Sequence, residues 1–437
     1  MGIHIPANYQ LPPDLIERNR RFLQQESDTF GLYVSYDRIM YHIAHYDITA
    51  SKAARELLPM VGANSSRALT GPYVREVLSK SYGVPDFKML KDGRASFDKN
   101  VRAALLEDPE TNPSARRVLE LFQEFSASRY MCSYLRQYID CGVRCKPRDF
   151  ENNVMLACRP QWSVLSTSRF SAKEPSAQNI NRSVQDIITA PKGYQLVHSD
   201  SGQIEPRITY SAYIKDDLIK QLIINYDDAY FGLLHFILMT DEERERHDVT
   251  VKPITADMKA KRQRLKVLGL AGNYGSSNLS AIDPELGPLY DKYIVNHPAR
   301  RAWESEVAMQ VRNGVEEFAG YFGTVVRPDN AQRADMKRGT PAWRSHLIRC
   351  GINNPIQTTA SELMHISIAE VRNTLRYGEH VAGYIHDAGL FYVPEDSVEE
   401  RAPVFKECLA YDVEGWIPIG SDLHIGREDT PYAAPIF

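Results

Sequence analysis

Three short stretches carry residue types whose spacing suits phosphate chemistry. The first is Asp200-Ser-Gly-Gln-Ile-Glu205-Pro-Arg207, which follows the apolar run Tyr194-Gln-Leu-Val197. A carboxylate where a strand turns into a helix is rigidly placed. It suits Mg²⁺, which takes a few fixed oxygens and leaves its other positions to water and phosphates. The second stretch spaces Arg262, Lys266, Leu270 and Tyr274 four apart, so on a helix they form one stripe. Its cations suit a triphosphate, its aromatic end suits a base, and Gly275 beside it can end the helix. The third is His386-Asp387 within His380–Val393, which reads as two apolar strands around a tight Asp-Ala-Gly turn. Singly, each has an ordinary explanation: a helix cap, a basic helix face, a polar turn. Together they are the parts of two-metal phosphoryl transfer: two carboxylates from separate strands, cations for a leaving pyrophosphate, and a flat side chain over a base.

The rest of the chain must position these parts. Its 437 residues allow about three domains or subdomains. Apolar content of 43% and charged content of 25% exclude global disorder. No apolar run approaches the roughly 18 residues of a bilayer span, and the start, Met1-Gly-Ile-His-Ile-Pro6, lacks the features of a secretory signal. Six cysteines in so long a chain read as reduced thiols; Cys141 and Cys145 lack a second pair at zinc spacing. The net charge of −4 argues against coating of nucleic acid, yet cations gather locally. One cluster is Lys259, Lys261, Arg262, Arg264 and Lys266; the other is Arg327, Arg333, Lys337, Arg338, Arg344 and Arg349.

The first 60 residues read as helix with loops, with a short strand at Gly31–Val34. Residues 72–139 read as mostly helical, with apolar stripes at Val74, Val77, Leu78 and at Leu119, Leu121, Phe122, Phe125. The basic link Lys88–Arg94 joins them, either as a solvated connection or as a grip on a nucleic-acid backbone. Residues 212–325 are again helical. The fold class read from this pattern is α+β, a small antiparallel sheet bearing helical insertions.

At this point the motifs resemble those of family A DNA polymerases, the bacterial polymerase I type. Asp200–Arg207 is similar to that family's motif A, D-Y-S-Q-I-E-L-R. Arg262–Gly275 is similar to motif B, R-x-x-x-K-x-x-x-F-x-x-x-Y-G, and His386-Asp387 to motif C, H-D-E. Ser168–Ile180 resembles G-R-L-S-S-x-x-P-N-L-Q-N-I, and Arg349–Ala360 resembles R-x-x-x-N-x-P-x-Q-G-T-A. The resemblance implies a right-hand polymerase fold: a segment 1–45 on the palm, thumb 46–139, palm 140–215 and 326–437, and fingers 216–325. It implies primer–template DNA and dNTPs as partners, no membrane, and a cytoplasmic setting in a bacterial or phage-infected cell. Two Mg²⁺ ions, replaceable by Mn²⁺, are expected on Asp200, Asp387 and the backbone carbonyl of Ser201. Lys266 is expected to protonate the leaving group and, with Arg262, to hold the triphosphate. Gln203, Glu205, Tyr230, Leu270 and Tyr274 complete the expected dNTP pocket, with Glu205 as the steric gate against a 2′-OH. Arg169, Gln178, Asn179, Gly275, Arg349, Asn353, Gln357 and His386 are expected to grip the primer–template.

The sequence departs from the pattern at Leu270 (for an aromatic residue), Tyr230 (often His), Gly202 and Pro206 within motif A, and Ala388 where motif C has Glu. Losing that Glu is expected to weaken metal binding without abolishing chemistry. The thumb-like segment begins so early that no exonuclease domain of about 150 residues fits before it. The expectation is a polymerase module without proofreading, of phage or mobile-element type. A single-subunit RNA polymerase is the alternative, against which Glu205 counts; the other is a DNA-binding relic, against which the retained Asp200, Asp387, Arg262 and Lys266 count.

Overall fold

Four strands that alternate between two environments form the central sheet. Their order across it is His380–Ile385, Ala388–Pro394, Tyr194–Ser201 and Ser421–Ile425, every neighbouring pair antiparallel. The structure is a computed structural model, which describes residues 2–84, 97, 99–145, 154–273, 278–328 and 338–426. Successive side chains of a strand point to opposite faces. On one face Ser201 and Ser421 donate to the carbonyls of Leu409 and Lys406, and Phe391 stacks on Phe405 at 4.3 Å. That face carries the helix Val398–Cys408. Asp200 therefore faces the other side.

The hairpin turn differs from the sequence reading. It consists of His386 and Asp387 alone, and Ala388 already pairs with Ile385. Glycine suggested a later turn, but the left-handed position is His386, at φ 57°. Gly389 is needed inside the strand, where a Cβ would lie 2.4 Å from the Phe391 ring.

The chain divides into two compact units, one of Met1–Leu32, Arg159–Gln185 and Thr189–Phe437, the other of Tyr33–Cys158 and Asp186–Ile188. In the first, Ile3–Ile5 pairs in parallel with Tyr411–Val413. The long helix Pro341–Thr374 carries the fully buried Glu362, whose carboxylate accepts from the amides of Phe322 (3.0 Å) and Thr324 (2.7 Å). The helices Asp217–Tyr226, Ala229–Leu238 and Ala256–Asn273 share a core that includes Leu222, Leu233, Leu234, Leu265 and Leu268. Asp216 and Asp228 cap the first two by accepting the amides of Ile219 and Phe231, each at 2.8 Å.

In the second unit, Ala50, Ala53, Ala54 and Leu57 of the helix Tyr36–Val61 share a core with Ala115, Val118, Leu119 and Phe122 of Pro113–Cys141. The expected strand near Gly31–Val34 is Leu32–Ser35, beside Met155–Cys158 and Val143–Arg144. The basic link Lys88–Arg94 lies outside the described residues. No helix among the described residues is long and apolar enough to cross a membrane.

His365, 1% exposed, joins three parts of the first unit. Its Nε2 donates to the Ser168 carbonyl at 2.9 Å, and Asn19 donates to its backbone carbonyl at 2.8 Å. Burial pushes its pKa down to about 4 although the Ser168 carbonyl favours the proton. The unfolded value is about 6.5, so below that pH the unfolded chain gains a proton that the folded one refuses. This group therefore removes stability as pH falls from about 6.5 to 4, and none above that window. At pH 5 the loss is about 2 kcal/mol. His365→Gln is expected to be less stable at pH 7.5 but to lose less on moving to pH 5. Urea unfolding at both pH values checks this, and equal losses in wild type and variant contradict it.

Candidate active site

Asp200 is the penultimate residue of the strand Tyr194–Ser201, and Asp387 ends the hairpin turn beside it. The Ser201 amide donates to the Asp387 carbonyl at 3.1 Å, which ties strand end and turn together. Burial pushes the Asp200 carboxyl well above the carboxylate range. The charges of Asp387 and Asp422 push it further, and only Lys266 pulls it back. Asp387 is also raised, first by burial, with Glu205 adding to the effect and His386 and Arg169 opposing it. Asp200 Oδ1 is buried and accepts no hydrogen bond among the described residues. Among the described residues, neither carboxylate has an ion-pair partner within 4 Å. Two half-buried like charges, one with an orphaned oxygen, are costly in an isolated chain and fit a divalent cation.

After Ser201 the chain turns through Gly202, whose amide donates to the Gly420 carbonyl at 2.8 Å. Gln203 follows in the left-handed region at φ 55° and precedes the short helix Ile204–Ile208. Its side chain donates to Asp228 Oδ2 (2.7 Å) and accepts from the Ala229 amide (2.6 Å). Arg262 reaches the same Oδ2 through Nε (2.9 Å) and Nη2 (2.6 Å). Asp228 thus joins the expected motif A glutamine to the expected motif B arginine. The sequence reading assigned it no role, although an Asp opening an apolar helical run signals a cap.

Glu205 accepts from Arg169 Nη2 at 2.7 Å, so the expected gate is held by an expected DNA contact. Glu205, Tyr230 and Gly269 line a cavity of about 30 Å³, and Tyr230 is 8% exposed. Lys266 is exposed, whereas two neighbouring cations are engaged. Lys261 pairs with Asp257 (2.9 Å), and Arg264 pairs with Asp283 (2.6 Å). In the second cation cluster Arg327 pairs with Glu317 and Arg338 with Glu316.

Arg349, Asn353 and Gln357 follow one face of the helix Pro341–Thr374, Arg349 exposed and the other two half-buried. Gln178 accepts from the Ala172 amide and donates to the Tyr384 carbonyl, both at 3.0 Å, and so ties the Phe170–Lys173 strand to the hairpin that bears Asp387. Asn179 and His386 are exposed, and Asn179 donates to Ser176 Oγ at 2.8 Å. Leu270 lies within the helix Ala256–Asn273, while Tyr274, Gly275, Arg333 and Lys337 lie outside the described residues. Asp422, on the neighbouring strand directly opposite Asp200, was missed. The alternation of Ser421-Asp-Leu-His-Ile425 is the signal that could have found its strand.

The family model for DNA polymerase family A matches residues 50–430. The chain belongs to DNA polymerase family A. Among curated relatives, the thermostable DNA polymerase I of Thermus filiformis is 25% identical over 290 residues, covering 62% of this chain and 32% of the relative. The thermostable DNA polymerase I of Thermus aquaticus is 23% identical over 377 residues, covering 81% and 40%. The DNA polymerase I of Rhizobium leguminosarum is 25% identical over 256 residues, covering 56% and 24%. The chain thus spans about a third of the length of these family A relatives. The solved POL domain of Pol1 from M. smegmatis, in complex with DNA primer-template and dNTP, superimposes with a TM-score of 0.75. At 18% identity it covers 96% of this chain and 70% of that one, and the shared feature is the polymerase fold.

The carboxylate repulsion has a measurable cost. Asp387→Asn removes one of the crowded charges without opening a cavity. In EDTA at pH 8 its thermal unfolding midpoint is expected to rise by about 2 °C over wild type. Differential scanning calorimetry checks this; a lower midpoint for the variant contradicts the reading of mutual repulsion.

Proposed function

We propose that this chain is a template-directed DNA polymerase that adds dNTPs to a primer 3′-OH by two-metal phosphoryl transfer. The observation that carries the reading is the pair of half-buried carboxylates, Asp200 and Asp387, brought together by the Ser201–Asp387 backbone bond. The names of the polymerase I relatives, and of the POL domain solved with primer-template and dNTP, support it. The orphaned Asp200 Oδ1 fits a divalent cation. Asp200, Asp387 and the Ser201 carbonyl would hold the metals. Two Mg²⁺ ions, when bound, would make the primer hydroxyl a better nucleophile and neutralise charge on the leaving pyrophosphate.

The chain's own residues do the rest. Arg262 exchanges Asp228 for the triphosphate, so a nucleotide must compete with a bidentate hydrogen-bonded pair. Lys266, exposed beside the carboxylates, meets the same phosphates and delivers a proton to the departing pyrophosphate oxygen. Glu205, fixed by Arg169, fills the space beneath the sugar. By the family resemblance Tyr230 and Gln203, with Leu270, Tyr274 and Gly275 of the motif B stretch, would serve the nucleotide pocket. Asn179, Gln178, Arg349, Asn353, Gln357 and His386 border the primer–template, and read shape rather than sequence. In this reading residues 46–139 are the thumb, 216–325 the fingers, 140–215 and 326–437 the palm, and 1–45 a segment on the palm. The polypeptide extends a mismatched 3′ end slowly and does not trim it.

Primer extension tests the reading. Wild type with Mg²⁺ and dNTPs is expected to extend, and Asp200→Ala or Asp387→Ala to abolish extension. Extension by Asp387→Ala, or metal-dependent trimming of a mismatched end, contradicts the proposal. Glu205→Ala is expected to raise NTP use relative to dNTP by about tenfold or more, ~1.4 kcal/mol of discrimination. Single-nucleotide incorporation kinetics check this. A wild type that already uses NTPs equally well contradicts the gate.

A further inference from the structure

Motif C of the resembled pattern carries a second carboxylate after its Asp, and this chain has Ala388 there. The sheet register shows what stands near Asp200 instead. Asp200 is paired directly with Ala388 on one side and with Asp422 on the other. Directly opposed residues of antiparallel strands project to the same face, with Cβ atoms about 4.5–5.5 Å apart. The face is settled independently: Ser201 and Ser421, the adjacent pair, both turn toward the helix Val398–Cys408. Asp200 and Asp422 therefore share the opposite face. Asp200 is flanked by a buried methyl on one side and a carboxylate on the other.

Two further observations point to a ligand there. Asp200 Oδ1 is buried without a hydrogen-bond partner among the described residues. Asp422 is exposed and, among the described residues, forms no hydrogen bond or ion pair, so its charge is not spent within the fold. It also borders a cleft of about 720 Å³ at the sheet edge, lined by Gly202, Gln203, Asp228 and Arg262 and by Pro403, Lys406 and Glu407 of the helix Val398–Cys408.

We propose that Asp422 is the third carboxylate of the metal site, supplied by the last described strand in place of the one that motif C lacks. From the far side of Asp200 it accepts hydrogen bonds from water on a cation held by Asp200, since Mg²⁺ keeps several waters when bound by few carboxylates. The inference rests on the reading of Asp200 and Asp387 as metal ligands. It replaces the expectation of weakened metal binding, because the missing carboxylate has moved to another strand.

The test measures metal binding without turnover. The full chain, bound to a primer–template with a dideoxy-terminated primer and the matching dNTP, is titrated with Mn²⁺. Free Mn²⁺ is followed by electron paramagnetic resonance. Asp422→Asn and Asp422→Ala are each expected to weaken Mn²⁺ binding about tenfold. Asp396→Gln, beyond the far end of the hairpin, is expected to leave it unchanged. Unchanged affinity in both Asp422 variants, with affinity lost in Asp387→Asn, overturns the proposal and leaves the metal site standing. Unchanged affinity in Asp387→Asn as well overturns the metal site itself.

Discussion

The structure depends on holding two carboxylates together where water screens them poorly. Asp200 and Asp387 repel one another, and burial makes both charges costlier. Hydrophobic packing of the sheet offsets that cost. The strand bearing Asp200 lies between two others, and the hairpin bearing Asp387 closes on it through the Ser201 amide. The left-handed His386 lets the turn close in two residues, which keeps Asp387 at the level of Asp200. Relaxing either element would separate the charges and stabilise the fold at the expense of the site.

The remaining polar residues are organised by shared partners. Asp228 caps one helix, accepts from Gln203 just after the strand that bears Asp200, and accepts from Arg262 on another helix. Glu205 and Arg169 restrain one another in the same way. His365 holds the backbone of Ser168, one residue before that arginine, so the long helix is linked through Arg169 to Glu205.

What was legible in the sequence follows from where the determining interaction lies. The placement of Asp200 at a strand end and of Asp387 in a hairpin turn was legible, because local apolar patterning marks both elements. The helices bearing Val74 and Leu78 and bearing Leu119 and Phe122 were legible from apolar periodicity. The hairpin register was not, because glycine is a turn signal in isolation while the Phe391 ring demands it in the strand. Asp422 and Asp228 were not, because their significance comes from pairing with residues 200, 203 and 262. Local periodicity cannot name a strand's neighbour. The internal bonds of Gln178, and the acids that engage Lys261 and Arg264, are likewise set by tertiary structure.

The central claim is that Asp200 and Asp387 are adjacent in order to share metal ions. Crystals of the chain with a dideoxy-terminated primer–template, the matching dNTP and Mn²⁺ test it directly by anomalous scattering. The account predicts two peaks about 3.5–4 Å apart, both within bonding distance of Asp200 and Asp387 oxygens. A nucleotide bound at Arg262 and Lys266 with no anomalous peak between these carboxylates would contradict it.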